Sequence, residues 1–92
     1  MDMHYPIQSY RTAWNRFEDF GIVFDIELNE VIEISDVASD VWERCDGTRN
    51  VAEISQEIAM LFEAPLDEVV EDVRLFVADM AARGLLRLNP SS

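Results

Sequence analysis

The 92-residue chain contains no lysine, one cysteine and one histidine. Its seven Lys and Arg positions are all arginine, set against 19 Asp and Glu, for a net charge of −12 and an isoelectric point near 4.1. A surface that holds nucleic acid or an anionic membrane needs clustered positive charge, so neither is an expected partner. One cysteine cannot close an internal disulfide, and one His with one Cys cannot cage a metal on their own. Gly21, Gly47 and Gly84 are isolated, so no Gly-rich loop cradles a phosphate. No apolar run reaches the roughly 18 residues of a membrane span. Met1-Asp2-Met3-His4 also lacks the basic-then-apolar opening of a secretory signal. A small, soluble, acidic, cytoplasmic domain without a cofactor is the expectation that remains.

What is present suffices for one core. Hydrophobic residues make up 49% of the chain and aromatics 10%, which excludes disorder throughout despite 28% charged residues. The length serves one domain and is too short for two.

Residues 1–10 show no periodicity and contain Pro6, which predicts a flexible N-terminal arm. Residues 11–17 are weakly strand-like, with Trp14 and Phe17 as apolar anchors, and Phe20-Gly21 punctuates the chain. Ile22, Phe24, Ile26 and Leu28 then alternate with Val23, Asp25 and Glu27, which predicts a strand. Asn29-Glu30 reads as a tight turn. Val31-Ile32-Glu33-Ile34 reads as the return strand of a β-hairpin, with Ile32 and Ile34 on the core side and Val31 and Glu33 on the other.

The period then becomes helical. Ser35 is a good N-cap with Asp36 in the first turn, and Val37, Ala38, Val41, Trp42 and Cys45 form a stripe ending at Asp46-Gly47. Asn50 and Glu53 are spaced as a capping box before Val51, Ile54, Ile58, Leu61 and Phe62. A third helix is predicted from Pro65, with Leu66, Val69, Val70, Val73, Phe76, Val77 and Met80 inward and Gly84 as its stop. Leu85, Leu86 and Leu88 give a short terminal strand or extended segment before a tail at 89–92. The expected fold is α+β and winged-helix-like, a small N-terminal antiparallel sheet of two or three strands followed by three helices, with residues 11–88 as the domain.

Catalytic signatures are sparse. His4 lies in the expected arm, where geometry is not fixed. Cys45 sits on an apolar stripe with no lysine or histidine nearby in sequence to lower its pKa. Asp67-Glu68 and Glu71-Asp72 suit a solvated helix face, the first pair also suiting the helix dipole, so they carry no acid–base argument. Trp14 and Trp42 read as core fillers. The chain reads as a binding protein, not an enzyme.

Two segments resemble the PqqD family. One is Ala38-x-x-x-Trp42-x-x-Cys45-Asp46-Gly47-Thr48-Arg49-x-Val51-x-Glu53-Ile54. The other is Glu71-Asp72-Val73-x-x-Phe76-Val77, ending in Arg83-Gly84-Leu85-Leu86. The hairpin from Gly21 to Ile34 also fits, so the likeness covers residues 11–88. Ser35 and Asn50 stand where family members often have Asn and Thr, swaps that keep the capping chemistry. The resemblance implies a peptide chaperone. It would bind the leader of a ribosomally made precursor peptide and present it to a modifying enzyme, often a radical S-adenosylmethionine protein. It also implies that the leader adds as a strand beside the third β-strand, which places the docking edge at Val31, Ile32, Glu33 and Ile34, in a groove bounded by the third helix.

The residues themselves are compatible with that mode, because a short edge strand offers unpaired backbone groups. At 100° per residue, Leu75 falls nearly opposite the core stripe of the third helix. With Glu71, Arg74, Ala78, Asp79 and Ala82 around it, it is either part of an apolar pocket or an ordinary exposed leucine. Two other functions fit the same elements: a winged-helix DNA-binding regulator, disfavoured by the acidic third helix, and a homodimeric or scaffold module paired through the Val31–Ile34 edge.

Overall fold

The computed structural model describes residues 4–90. In chain order the elements are β1 (His4–Gln8), β2 (Thr12–Arg16), β3 (Phe20–Asp25), β4 (Glu30–Ser35), α1 (Asp36–Glu43), α2 (Val51–Phe62), α3 (Leu66–Ala82) and β5 (Leu86–Pro90). β2, β3 and β4 form an antiparallel sheet in that order, and β1 pairs antiparallel with β5 in a second, two-stranded sheet. The class is α+β, small antiparallel sheets with three consecutive helices between β4 and β5, as the change of period predicts. The shortest dimension is 18 Å, room for one sheet layer and one helix layer at their usual spacing of about 10 Å.

The helix ends follow their local chemistry. The Ser35 hydroxyl accepts the Ala38 N–H at 3.1 Å. Asn50 and Glu53 close a reciprocal capping box, each side chain accepting the other's backbone N–H at 2.9 Å. Pro65 is the N-cap of α3 and not its first helical residue, a one-residue difference of the kind helix ends show. Gly84 follows α3 with φ 77°, the left-handed geometry that suits glycine.

Trp42, Cys45, Ile54, Ile58, Val77, Met80 and Leu85 are buried at the centre, with Val23 and Ile34 contributed by the sheet. In β4 the inward residues are Ile32 and Ile34, as expected. In β3 the phase is opposite to the expectation: Val23 and Asp25 face inward, while Ile22 and Phe24 are half-exposed on the outer face. The strand also stops at Asp25, whose carboxylate accepts the N–H groups of Glu27 and Leu28 at 3.1 and 3.2 Å. The alternation through Ile26 and Leu28 therefore runs into a turn, completed by Asn29 at φ 55°. A buried Asp reads as a wet-face residue in sequence; Arg11, 2.9 Å away, is what makes its burial possible.

The N-terminal arm is corrected as well. Residues 4–8 form β1, locked to β5 and bridged to the α1–α2 loop by Gln8 N–H to Cys45 C=O and Gly47 N–H to Pro6 C=O, both 3.0 Å. Pro6 fits because the carbonyl and the nitrogen of one strand residue point the same way. Its missing donor therefore faces the loop and not β5. The C-terminal tail is shorter than expected, since β5 includes Asn89 and Pro90. Residues 1–3 of the expected arm and 91–92 of the tail lie outside the described residues.

The arginines stitch the elements together. Arg16 on β2 donates to Asp36 at 2.8 Å, Asp40 at 3.0 Å and Glu43 at 2.9 Å along α1. Arg44 and Arg49 converge on Glu57 of α2 at 3.1 and 2.7 Å. Such multidentate forks are geometry a lysine cannot supply.

Candidate peptide-binding site

β4 has β3 on one side and no strand on the other among the described residues. Which of its backbone groups are free follows from the ladder. Phe17 N–H donates to Phe20 C=O at 2.8 Å and Ile26 N–H to Arg11 C=O at 2.9 Å. The even-numbered residues of β3 therefore bond toward β2, and Gly21, Val23 and Asp25 bond toward β4. Their partners are Ile34, Ile32 and Glu30. By the antiparallel alternation, Val31 and Glu33 turn both N–H and C=O to the open edge. Their side chains point to the outer sheet face, and Val31 is 60% exposed.

On the inner side one cavity is lined in part by the strand, and a second lies among the helices. One of about 150 Å³ is lined by Asp25, Leu28, Glu30, Ile32, Arg83 and Leu85. The other, about 110 Å³, lies between α1, α2 and α3, with Val37, two residues past the end of β4, and Ala38, Val41, Ile58, Val69, Val73 and Phe76 as its apolar wall and Asp72 as its one charged lining residue. Val37 is exposed by 43%.

The structure thus brings Val31, Ile32, Glu33 and Ile34 together as one edge, and places the expected α3 residues less uniformly. Leu75 is 53% exposed and lines neither cavity. Relative to Val73 it lies some 160° around the helix, whereas Phe76 and Asp72 lie about 60° and 100° away on the cavity side. Glu71 and Arg74 form an exposed pair at 2.7 Å, and Asp79 pairs with Arg83 at 3.2 Å. Ala78 and Ala82 are exposed on the Leu75 side of the helix. Val37, Asp72, Phe76 and Arg83 escaped sequence reasoning as wall residues. The available signal was an acidic or half-buried position on the flank of an apolar stripe.

Electrostatics leave little positive charge unused. Arg11, Arg16, Arg44, Arg49, Arg74 and Arg83 each lie within 3.4 Å of a carboxylate. Cys45 is fully buried, and its Sγ donates to the Val41 carbonyl at 3.2 Å. Burial first, and the Asp46 charge second, push its thiol up to about 12. Among the described residues no group of three His, Cys, Asp or Glu is placed to hold a metal, and no helix is long and apolar enough to cross a membrane.

Small antiparallel sheets, one of them ending in an open edge strand, with three consecutive helices define a class: small α+β domains. The chain belongs to the family of coenzyme PQQ synthesis protein D (PqqD), whose model matches residues 21–86. It is 36% identical over 55 residues to the "PqqA binding protein" of Rhizobium meliloti (strain 1021), covering 60% of this chain and 56% of that one. It is 35% identical over 78 residues to the protein of the same name from Xanthomonas oryzae pv. oryzae (strain PXO99A), covering 85% and 83%. Among solved structures, "TbiB1 in Complex with the TbiA(beta) Leader Peptide" superposes with a TM-score of 0.78 at 18% identity, over 88% of this chain and 94% of that one. "Lasso peptide synthetase B1 complexed with the leader peptide" does so with 0.78 at 13% identity, over 90% and 98%. At those identities the two structures speak for the fold.

Proposed function

We propose that this protein is a non-catalytic chaperone for a ribosomally made precursor peptide. It binds the leader by strand addition to β4 and presents it to a modifying enzyme, such as a radical S-adenosylmethionine protein. The observation that carries the reading is the open edge of β4, where Val31 and Glu33 offer unpaired backbone donors and acceptors on a strand that also lines a cavity. Strand addition draws affinity from such groups and specificity from pockets beneath alternate side chains. The likeness to PqqA binding proteins and to two solved structures bound to leader peptides supports it. Cys45, the one strong nucleophile type in the chain, is buried and held protonated, which supports binding without chemistry. The arginine pairing leaves a poor surface for phosphates, which argues against the DNA-binding alternative.

The test is a titration of a panel of synthetic leader peptides, PqqA among them, against the parent and Glu33→Pro. Glu33 turns its N–H to the open edge, so proline there removes the docking donor while the β3 ladder keeps its bonds. Loss of binding with unchanged helical circular dichroism is expected. Exchanging the side chains at Val31 or Glu33 for other non-proline residues should weaken binding only modestly. Parent-like affinity in folded Glu33→Pro would sink strand addition. Sedimentation with and without peptide tests the same edge as a homodimer contact.

A further inference from the structure

The cavity between α1, α2 and α3 combines an apolar wall with a single charged lining group. Val37, Val73 and Phe76 belong to the wall, and Asp72 is that charged group. Its volume, about 110 Å³, is below the roughly 150 Å³ that holds a benzene molecule, which suits an aliphatic side chain. Asp72 has no ion-pair partner among the described residues, because the nearest arginines on α3 are engaged elsewhere, Arg74 by Glu71 and Arg83 by Asp79. The same carboxylate borders an open depression that it shares with Asp67, Glu68 and Glu71. The cavity mouth is therefore one-sided in charge.

We propose that this cavity seats an aliphatic side chain of the bound peptide, and that Asp72 selects peptides carrying Lys or Arg within two residues of that anchor. The proposal rests on the reading of β4 as the docking edge. An anchor in the cavity removes water from one side of Asp72. A cation from the same peptide compensates that loss; a neutral or acidic neighbour leaves the carboxylate desolvated and unpartnered. Selection thus works against the wrong peptide as much as for the right one. Residues two apart on an extended strand share a face about 6.6 Å apart, within reach of a Lys or Arg side chain. The anchor and the cation therefore come from one short segment.

The experiment is equilibrium panning of a random twelve-residue peptide library on the immobilised parent, Asp72→Asn and Glu33→Pro, each checked for folding by circular dichroism. One recovered peptide is then titrated with its basic residue intact or replaced by norleucine. The parent should enrich an aliphatic residue with Lys or Arg within two positions. Asp72→Asn should keep the aliphatic preference and lose the basic one, and Glu33→Pro should enrich nothing. The norleucine change should weaken parent binding by about three- to ten-fold and Asp72→Asn binding by less than about two-fold. Enrichment by the parent without a basic preference, or equal weakening in both proteins, overturns the role of Asp72 and leaves strand addition standing. Enrichment of the same peptides by Glu33→Pro, or of none by the parent, overturns strand addition itself.

Discussion

Trp42 is the largest fully buried side chain, in the helix that directly follows β4. Its indole Nε1 has no hydrogen-bond partner among the described residues, so the side chain is held by packing alone and carries an unsatisfied donor. Truncation to alanine empties the centre of the core and is expected to cost about 3–5 kcal/mol. Trp42→Phe should cost less, because the phenyl ring refills much of the space that alanine leaves empty, while both substitutions remove the orphan donor. Urea unfolding of both variants checks the order; equal losses would mean that filling this site with a ring contributes nothing to stability. Cys45, three residues on, is the contrast: its buried thiol has a partner, donating to the Val41 carbonyl.

At the scale of elements, the two sheets do different work. The three-stranded sheet keeps β4 open, whereas β1 and β5 zip the two ends of the described chain together. Gln8 adds a side-chain hydrogen bond to the Trp42 carbonyl at 2.8 Å, and Ser9 N–H donates to Leu85 at 2.9 Å. Deleting residues 1–8 removes β1 and strands β5. At about 1 kcal/mol per net hydrogen bond, and 4–8 °C per kcal/mol for a domain this size, the melting temperature should fall by at least about 10 °C. An unchanged melting curve would show that the clasp is dispensable. This element was the least legible in the sequence, since Pro6 reads as a break and its pairing partner lies at the far end of the chain. The helices were readable because Ser35, Asn50, Glu53 and Gly84 encode their ends locally. The phase of β3 was not, because a buried Asp25 is understandable only once Arg11 is placed beside it. The same contrast holds in the site. The β4 edge was visible as a short β-branched run, but the cavity wall on α3 was not, because Phe76 sits on the flank of the core stripe and Leu75 drew attention to the opposite side.

At the scale of the whole molecule, two effects of pH pull in opposite directions. A net charge of −12 at pH 7 destabilises the compact state by self-repulsion, which eases as pH falls toward the isoelectric point near 4.1. Against this stand three carboxyls whose pKa in the folded state lies below the ordinary 3.8. For Asp40, hydrogen bonding from Arg16 outweighs burial, with the Arg16 and Arg44 charges adding to it. For Asp46, the Thr48 hydroxyl outweighs burial, with the Thr48 N–H adding to it. For Asp25, burial raises the pKa, but the Leu28 N–H, Arg11 and the Glu27 N–H together overcome it. A depressed folded pKa means that the unfolded chain takes up these protons first. Their contribution is therefore complete above about pH 4 and is lost as pH falls through the folded values. The expected profile of melting temperature at constant ionic strength rises from pH 7 to a maximum near about pH 5, then drops below about pH 4. Asp40→Asn should lower the maximum and flatten the acid limb, since it removes one of the three protonation steps and loosens the Arg16 fork. A melting temperature that does not drop between pH 4 and pH 3 would show that these three carboxylates add nothing measurable to the fold.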